Sequence, residues 1–80
     1  MAILRLFAGA REAAGTGRDT FEAATVGDVL SQASERYGVG FVAVLETCRV
    51  WLNGDEATPD DAVRPSDEVA VLPPVSGGAH

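Results

Sequence analysis

The segment from Pro73 to His80 most constrains the fold of this chain, because it cannot form part of a core. It reads Pro-Pro-Val-Ser-Gly-Gly-Ala-His. The prolines remove backbone hydrogen-bond donors, and the glycines have no side chains to bury and lose much conformational freedom on ordering. We therefore expect residues 1–72 to form one small domain and residues 73–80 to form a flexible tail. Such a tail is either inert or shaped to enter a narrow site.

The composition indicates one small domain without disulfides. The 80 residues are 46% hydrophobic, which is enough for a single core. Cys48 is the only cysteine of the sequence, so an internal disulfide and a thiolate metal cluster are both excluded. The sequence has no apolar run long enough to span a membrane, and residues 1–5 lack the pattern of a signal peptide. We therefore expect a cytoplasmic protein without a membrane partner.

The charge pattern argues against nucleic acid as a partner. The net charge is −6, and all six positive side chains are arginines. Residues 46–80 hold seven acidic residues and two arginines. Binding to phosphate backbones needs a basic surface, so we expect instead a protein partner with a basic surface, unless these acids only solubilise loops. Because lysine is absent, the chain has no side-chain amine for a Schiff base or for accepting an acyl group from another copy.

Hydrophobic periodicity predicts an α+β domain. Four strands are expected at residues 2–8, 18–23, 48–53 and 68–72, and one helical turn at residues 10–14. Asn53-Gly54 predicts a hairpin turn into a short further strand. The main helix should begin after the capping residue Thr25 and end at Gly38, whereas residues 41–45 suit a short helix or a strand. This order predicts a mixed sheet of four to five strands with one main helix on one face.

Three apolar side chains are expected on the sheet face that the helix does not cover. Strand alternation places Phe7 and Trp51 opposite the inward-facing Leu4, and Leu72 should join them. Exposed apolar patches with aromatic residues often mark protein interfaces. We therefore expect Phe7, Trp51, Leu72 and Val75 to contact partner proteins; the alternative is that loops cover these side chains.

Three segments, together with the element order and the Gly-Gly pair, resemble the small subunit of molybdopterin synthase, which has the β-grasp, ubiquitin-like fold. The segments are Leu6-Phe7-Ala8 followed by Arg11-Glu12 and Gly15, then Val50-Trp51-Leu52-Asn53-Gly54, and Leu72-Pro73-Pro74-Val75-Ser76-Gly77-Gly78. The resemblance covers nearly the whole chain. The related sulfur carriers of thiamin synthesis share the fold and the Gly-Gly pair but match the opening and the two prolines less well.

The resemblance implies a sulfur carrier that donates sulfur to a cyclic pterin precursor in molybdenum cofactor biosynthesis. An activating enzyme that uses ATP and Mg²⁺ would adenylate the carboxylate of Gly78, and sulfur from a donor enzyme would replace AMP to give a thiocarboxylate. The tail would then insert into the large subunit of a heterotetramer; its inserting residues would be Pro73, Pro74, Val75, Ser76 and Gly77. The chain itself would be a non-catalytic sulfur-donor subunit of a transferase complex that binds no metal and no cofactor.

Ala79-His80 departs from the family pattern, because it places the carboxylate carbon of Gly78 in a peptide bond. We expect a protease to remove these two residues; the alternatives are a native extension that stays and a remnant of cloning. Two other functions also remain open at this point. One is a sulfur carrier for thiamin or amino-acid synthesis, and the other is a ubiquitin-like modifier of other proteins' lysines.

The remaining reactive side chains suggest no catalytic set. Only Arg49 beside Cys48 is basic, so we expect a half-buried structural thiol rather than a nucleophile. His80 is the only histidine, and it lies in the expected tail, so a Cys-His or Ser-His pair is not expected. Asp60-Asp61 lacks the ligand spacing of a calcium loop.

Overall fold

A computed structural model describes residues 1–74 of the chain as one mixed sheet with three helices. The strands are Ala2–Leu6 (β1), Arg18–Phe21 (β2), Arg49–Leu52 (β3), Asp55–Glu56 (β4) and Glu68–Leu72 (β5). The helices are Ala8–Ala14 (α1), Val26–Tyr37 (α2) and Val39–Leu45 (α3). The strand order is β2-β1-β5-β3-β4, with β1 and β5 parallel and the other neighbours antiparallel. The predicted α+β architecture with a mixed sheet and α2 as its main helix is confirmed.

The core lies between the inner face of the sheet and the helices. The inward side chains of β1 and β5 are all buried: Ala2, Leu4, Leu6, Val69 and Val71. They belong to one cluster with the buried residues of α2 and α3, which are Val26, Val29, Ala33 and Phe41. Because alternate residues of a strand point to opposite faces, the burial of this set fixes which side chains point away from the helices.

Helix α2 begins and ends at the predicted residues. The Thr25 hydroxyl accepts a hydrogen bond from the Asp28 N–H at 3.0 Å, and the Asp28 carboxylate accepts one from the Ala24 N–H at 3.3 Å. This reciprocal pattern satisfies donors that the first turn of a helix leaves free. Gly38 ends the helix with φ of 95°, a conformation that side chains other than glycine rarely adopt.

Several element boundaries differ from the expected ones. Strand β1 ends at Leu6 rather than at residue 8, and β3 covers Arg49–Leu52 rather than residues 48–53. The ambiguous residues 41–45 are helical, and α3 extends from Val39 to Leu45 because Phe41 anchors it in the core and packs edge-on against Tyr37 with ring centroids 5.1 Å apart. Helix α1 begins two residues before the expected turn. Strand β2 ends at Phe21 rather than at residue 23.

A hydrogen-bonded cluster joins β2 to the end of α2. The Tyr37 hydroxyl donates to the Asp19 carboxylate at 2.5 Å, and the Arg36 guanidinium donates to it at 2.9 Å. Desolvation raises the pKa of Asp19, but the hydrogen bonds from Tyr37 and Arg36 outweigh it and bring the pKa below its usual range. Desolvation and the neighbouring carboxylate raise the pKa of Tyr37, so its hydroxyl stays a donor at neutral pH.

We expect Tyr37→Phe to lower the free energy of unfolding by about 1–2 kcal/mol at neutral pH, because it removes a hydrogen bond to a charged group. Since the native pKa of Asp19 is lowered, this stability is present above the pKa of the unfolded carboxyl and is lost as the pH falls through the lowered native value. Urea unfolding between neutral and strongly acid pH measures the difference between the two proteins.

The control for this experiment is Glu35→Gln, a change at an exposed position of the same helix. It should leave the unfolding curve nearly unchanged at neutral pH. A Tyr37→Phe protein as stable as the parent at every pH would show that the cluster does not stabilise the fold.

Candidate functional site

The sheet face opposite the helices, called the outer face below, carries an apolar groove of about 410 Å³. The groove is lined by Phe7, Arg49, Trp51, Gly54, Glu68, Ala70, Leu72 and Pro73. Phe7 is 38% exposed, and Trp51 and Leu72 are half-buried. The structure thus brings Phe7, Trp51 and Leu72 together on the face that strand alternation predicts, and their contact with a partner stays a prediction.

The central position of β5 creates this groove. In the register of the sheet, Trp51 of β3 lies opposite Ala70 of β5, while Arg5 of β1 lies opposite Ala70 on the other side. The small side chain of Ala70 therefore forms a low floor between larger neighbours. Leu72 and Phe7 close the end of the groove from which the chain continues toward the tail.

Phe7 is held at the end of β1 by its own backbone. Its N–H donates to the Val71 carbonyl at 3.2 Å, and its carbonyl accepts from the Ala10 N–H at 3.2 Å and the Arg11 N–H at 3.3 Å. The next residue, Ala8, has φ of 50°, a strained conformation for alanine that typically costs on the order of 1–3 kcal/mol. This sharp bend lets the chain turn into α1 while the Phe7 ring stays on the outer face.

Two ion pairs flank the groove. The Arg49 guanidinium lies 2.6 Å from the Glu56 carboxylate, and the Arg5 guanidinium lies 3.8 Å from the Glu68 carboxylate. All four side chains are about half exposed, so each pair adds little stability. They place charged groups beside the apolar centre of the outer face.

Two of the seven acidic residues between residues 46 and 80 bind backbone groups of a loop. The Asp61 carboxylate accepts the Thr58 N–H, and the Asp67 carboxylate accepts the Arg64 N–H, both at 2.8 Å. The backbone hydrogen bond from Arg64, with the Asn53 side chain as a second cause, lowers the pKa of Asp67. These two carboxylates therefore organise the connection between β4 and β5, which favours the loop explanation over an acidic docking surface.

The first two residues of the tail line two different grooves. Pro73 lines the groove described above, and Pro74 lines a second groove with Val26, Leu30 and Cys48. The other residues expected to act in the tail lie outside the described part of the chain: Val75, Ser76, Gly77 and Gly78, with Ala79 and His80. What the structure places is therefore the point from which the tail departs.

Cys48 has the surroundings of a packed thiol. It is half-buried, contacts the core cluster, and its Sγ donates a hydrogen bond to the Val44 carbonyl at 3.3 Å. Within residues 1–74, the structure contains no group of three His, Cys, Asp or Glu side chains placed to hold a metal ion. In the same part of the chain, no helix has the length and apolar character needed to cross a bilayer.

Sequence reasoning missed the contribution of Ala70 and of the arginines to this site. A single alanine in a strand carries no signal, because its importance comes from Trp51 and Arg5 on the neighbouring strands. Alternation alone places Arg5 and Arg49 on the outer face. Assigning Glu68 and Glu56 as their partners requires the order of the strands in the sheet.

These features define a small ubiquitin-like β-grasp protein with an apolar outer face at the base of a Gly-Gly segment. The chain matches the model of the ThiS family over residues 4–78 and belongs to that family. It is 39% identical over 77 residues to the molybdopterin synthase sulfur carrier subunit of Chlamydomonas reinhardtii, covering 90% of this chain and 92% of that protein.

Two solved structures show the same fold. The solution structure of the small archaeal modifier protein 1 from Methanosarcina acetivorans is similar with a TM-score of 0.83 and 29% identity, over 96% of this chain and 95% of that one. A protein–protein complex of subunits 1 and 2 of the molybdopterin-converting factor from Helicobacter pylori includes a chain similar with a TM-score of 0.72 and 20% identity, over 96% and 97% of the two chains. At that identity the second likeness shows the fold alone.

Truncations on the two faces of the sheet should differ in their effect on stability. Leu6→Ala removes a buried side chain and should lower the free energy of unfolding by about 2–5 kcal/mol. Trp51→Ala, on the outer face, should lower it by only about 1 kcal/mol, the loss of a cross-strand contact. Urea unfolding of the two variants measures this, and an outer-face loss as large as that of Leu6→Ala would place Trp51 in the core.

Proposed function

We propose that this chain is the sulfur-carrier subunit of a molybdopterin synthase. The observation that carries the proposal is the match to the ThiS family, which runs to Gly78, in a chain that is 39% identical to a curated carrier subunit. The outer face supports it, because it offers an apolar groove that reaches Pro73 at the base of the tail. A carrier needs both parts: a rigid body that a partner recognises and a narrow arm that enters the partner's site.

The proposed chemistry begins with activation of Gly78. A free carboxylate is a poor electrophile, because its negative charge repels nucleophiles and oxide is a poor leaving group. A separate activating enzyme with ATP and Mg²⁺ would convert the carboxylate into an acyl-adenylate. Sulfur at the oxidation level of hydrogen sulfide (HS⁻), supplied by a donor enzyme, would then form the C–S bond while the C–O bond to AMP breaks, leaving a thiocarboxylate and free AMP. That group would supply sulfur to a cyclic pterin precursor in the large subunit.

The tail suits this delivery in length and composition. Six residues from Pro73 to Gly78 reach roughly 20 Å at about 3.3–3.6 Å per residue. Glycine at the last two of these positions allows a backbone to enter a channel that is too narrow for side chains. Pro73 and Pro74 reduce the conformational entropy lost on insertion. This role requires a folded domain, residues 1–72, that the partner recognises, and a tail, residues 73–80, that enters the partner's site.

The outer face is the proposed docking surface for the large subunit. Phe7, Trp51 and Leu72 surround an apolar groove, and aromatic side chains at the centre of an interface often carry much of its binding energy. Val75 would extend this contact along the tail. The Helicobacter pylori structure is a complex of subunits 1 and 2 of the molybdopterin-converting factor, which supports a second-subunit partner; we propose a heterotetrameric synthase.

Exposure of the Gly78 carboxylate requires removal of the residues that follow it. The family match ends at Gly78, so Ala79 and His80 lie beyond the shared pattern. We propose that the form carrying them is an inactive precursor and that proteolysis releases the reactive end.

A ubiquitin-like modifier is the second candidate, favoured by the likeness to the small archaeal modifier protein at a TM-score of 0.83. A modifier would attach its Gly78 carboxylate to lysines of other proteins. A carrier for thiamin or amino-acid synthesis uses the same activation with a different acceptor. The three functions therefore differ in where the activated end goes.

Intact-mass analysis of the chain from its native host tests the proposed chemistry. We expect a species ending at Gly78 whose mass is raised by the replacement of one oxygen by sulfur, and we expect the large subunit to co-purify with it. Gly78→Pro, which blocks the narrow end, should abolish that species. Sulfur found on a chain still ending in His80 would contradict the trimming step, and higher-mass lysine conjugates without a thiocarboxylate would favour the modifier.

Trp51→Ala should weaken binding to the large subunit by at least about tenfold, because it removes an anchor of the groove; tenfold corresponds to about 1.4 kcal/mol. Val39→Ala is the matched control, since Val39 is 85% exposed and belongs to α3 rather than to the outer face. Isothermal titration calorimetry measures both affinities. Equal losses in the two variants, or none in Trp51→Ala, would remove the outer face from the interface.

A further inference from the structure

Two arginines lie directly opposite each other at the β1–β2 side of the outer face. In the antiparallel register, Arg5 of β1 is the partner of Arg18 of β2. Residues in this position share one face, with Cβ atoms roughly 5 Å apart, and like charges there destabilise the sheet. A fold that keeps such a pair sacrifices some stability, so the pair calls for an explanation.

The face of the sheet on which the Arg18 side chain lies follows from its neighbour Asp19. The Asp19 carboxylate binds Tyr37 and Arg36 of α2, so Asp19 lies on the inner side and Arg18 on the outer side. Arg5 is also on the outer side, since its guanidinium lies 5.9 Å from the centroid of the Phe7 ring. Both arginines therefore lie on the outer face, Arg5 beside Phe7 and Arg18 one strand further from the groove.

The backbone around Arg18 is locally held. The Thr16 hydroxyl donates to the Arg18 carbonyl at 3.0 Å and accepts from the Arg18 N–H at 3.4 Å. The cross-strand pairing with β1 adds the hydrogen bonds of the sheet. These contacts hold the backbone that places the Arg18 side chain on the outer face.

The pair is only partly neutralised. Glu68 lies 3.8 Å from Arg5, and Glu56 is engaged with Arg49 at 2.6 Å. Within residues 1–74, Arg18 forms no ion pair. The outer face thus holds three of the six arginines of a chain whose net charge is −6, and its excess positive charge lies at the β1–β2 side.

We propose that Arg5 and Arg18 bind a carboxylate-bearing segment of the partner protein that covers the apolar groove. The proposal rests on the proposed function, which makes that partner the large subunit of molybdopterin synthase. Guanidinium groups donate in a planar fork that matches a carboxylate, and exclusion of water at an interface strengthens the attraction. The acidic charge of the partner would also relieve the repulsion between the two arginines.

This proposal changes the charge expected of the partner's surface at the groove from positive to negative. The excess of acidic residues between residues 46 and 80 suggested a basic partner, but Asp61 and Asp67 bind backbone N–H groups of their own loop. The face that carries the aromatic anchors is instead locally basic. A partner with an acidic segment therefore fits it better than a basic one.

Arg18→Gln tests the proposal in the complete chain with the purified large subunit. We expect the variant to bind about tenfold more weakly than the parent at low ionic strength, with the difference shrinking as salt is added. Arg64→Gln is the matched control: it makes the same change in charge in the loop between β4 and β5 and should alter affinity by less than about twofold. Arg18→Lys, which retains the charge but loses the planar fork of donors, should bind with an affinity between those of the parent and Arg18→Gln.

Urea unfolding of the free variants separates binding from folding. Arg18→Gln should be at least as stable as the parent, because it relieves a like-charge contact. Binding by Arg18→Gln as tight as by Arg64→Gln would overturn this inference alone, and so would a loss of affinity that matches a loss of folded protein. A parent chain that does not bind the large subunit would overturn the proposed function and this inference together.

Discussion

The parallel pairing of β1 with β5 is the constraint on which the rest of the structure depends. Its register sets Leu4 opposite Val69 and Leu6 opposite Val71, and all four side chains are buried. A slip of one residue would exchange the two faces of these strands, so the register that builds the core also builds the outer groove. Because β5 is the central strand of the five, the tail follows a strand that is paired on both sides.

The sequence predicts those features that depend on neighbouring residues alone: the face on which a strand residue lies and the residues at which a helix begins and ends. Leu4 and Phe7 fall on opposite faces as their spacing predicts, and Thr25 and Gly38 bound α2 because their local chemistry suffices. The pairing of Arg5 with Arg18 could not be predicted in this way. It depends on strand order and register, which are set by packing across the whole domain rather than by neighbouring residues.

The secondary structure of α3 also could not be predicted from its own residues. From Val39 to Leu45 the sequence is apolar or small throughout, so neither a period of two nor one of 3.6 stands out. Burial of Phe41 among the core side chains decides for a helix. For the tail, composition alone supports the prediction, since Gly77 and Gly78 lie beyond the described residues.

We propose that this chain carries sulfur on Gly78 and delivers it to a precursor bound by a partner, which docks on the outer face. The most direct test is a single-turnover reaction of the purified large subunit and a cyclic pterin precursor with a chain that ends in a Gly78 thiocarboxylate. We expect sulfur to appear in the pterin product and the chain to be recovered with a Gly78 carboxylate. A thiocarboxylate that remains intact in the presence of a bound large subunit and precursor would contradict this proposal.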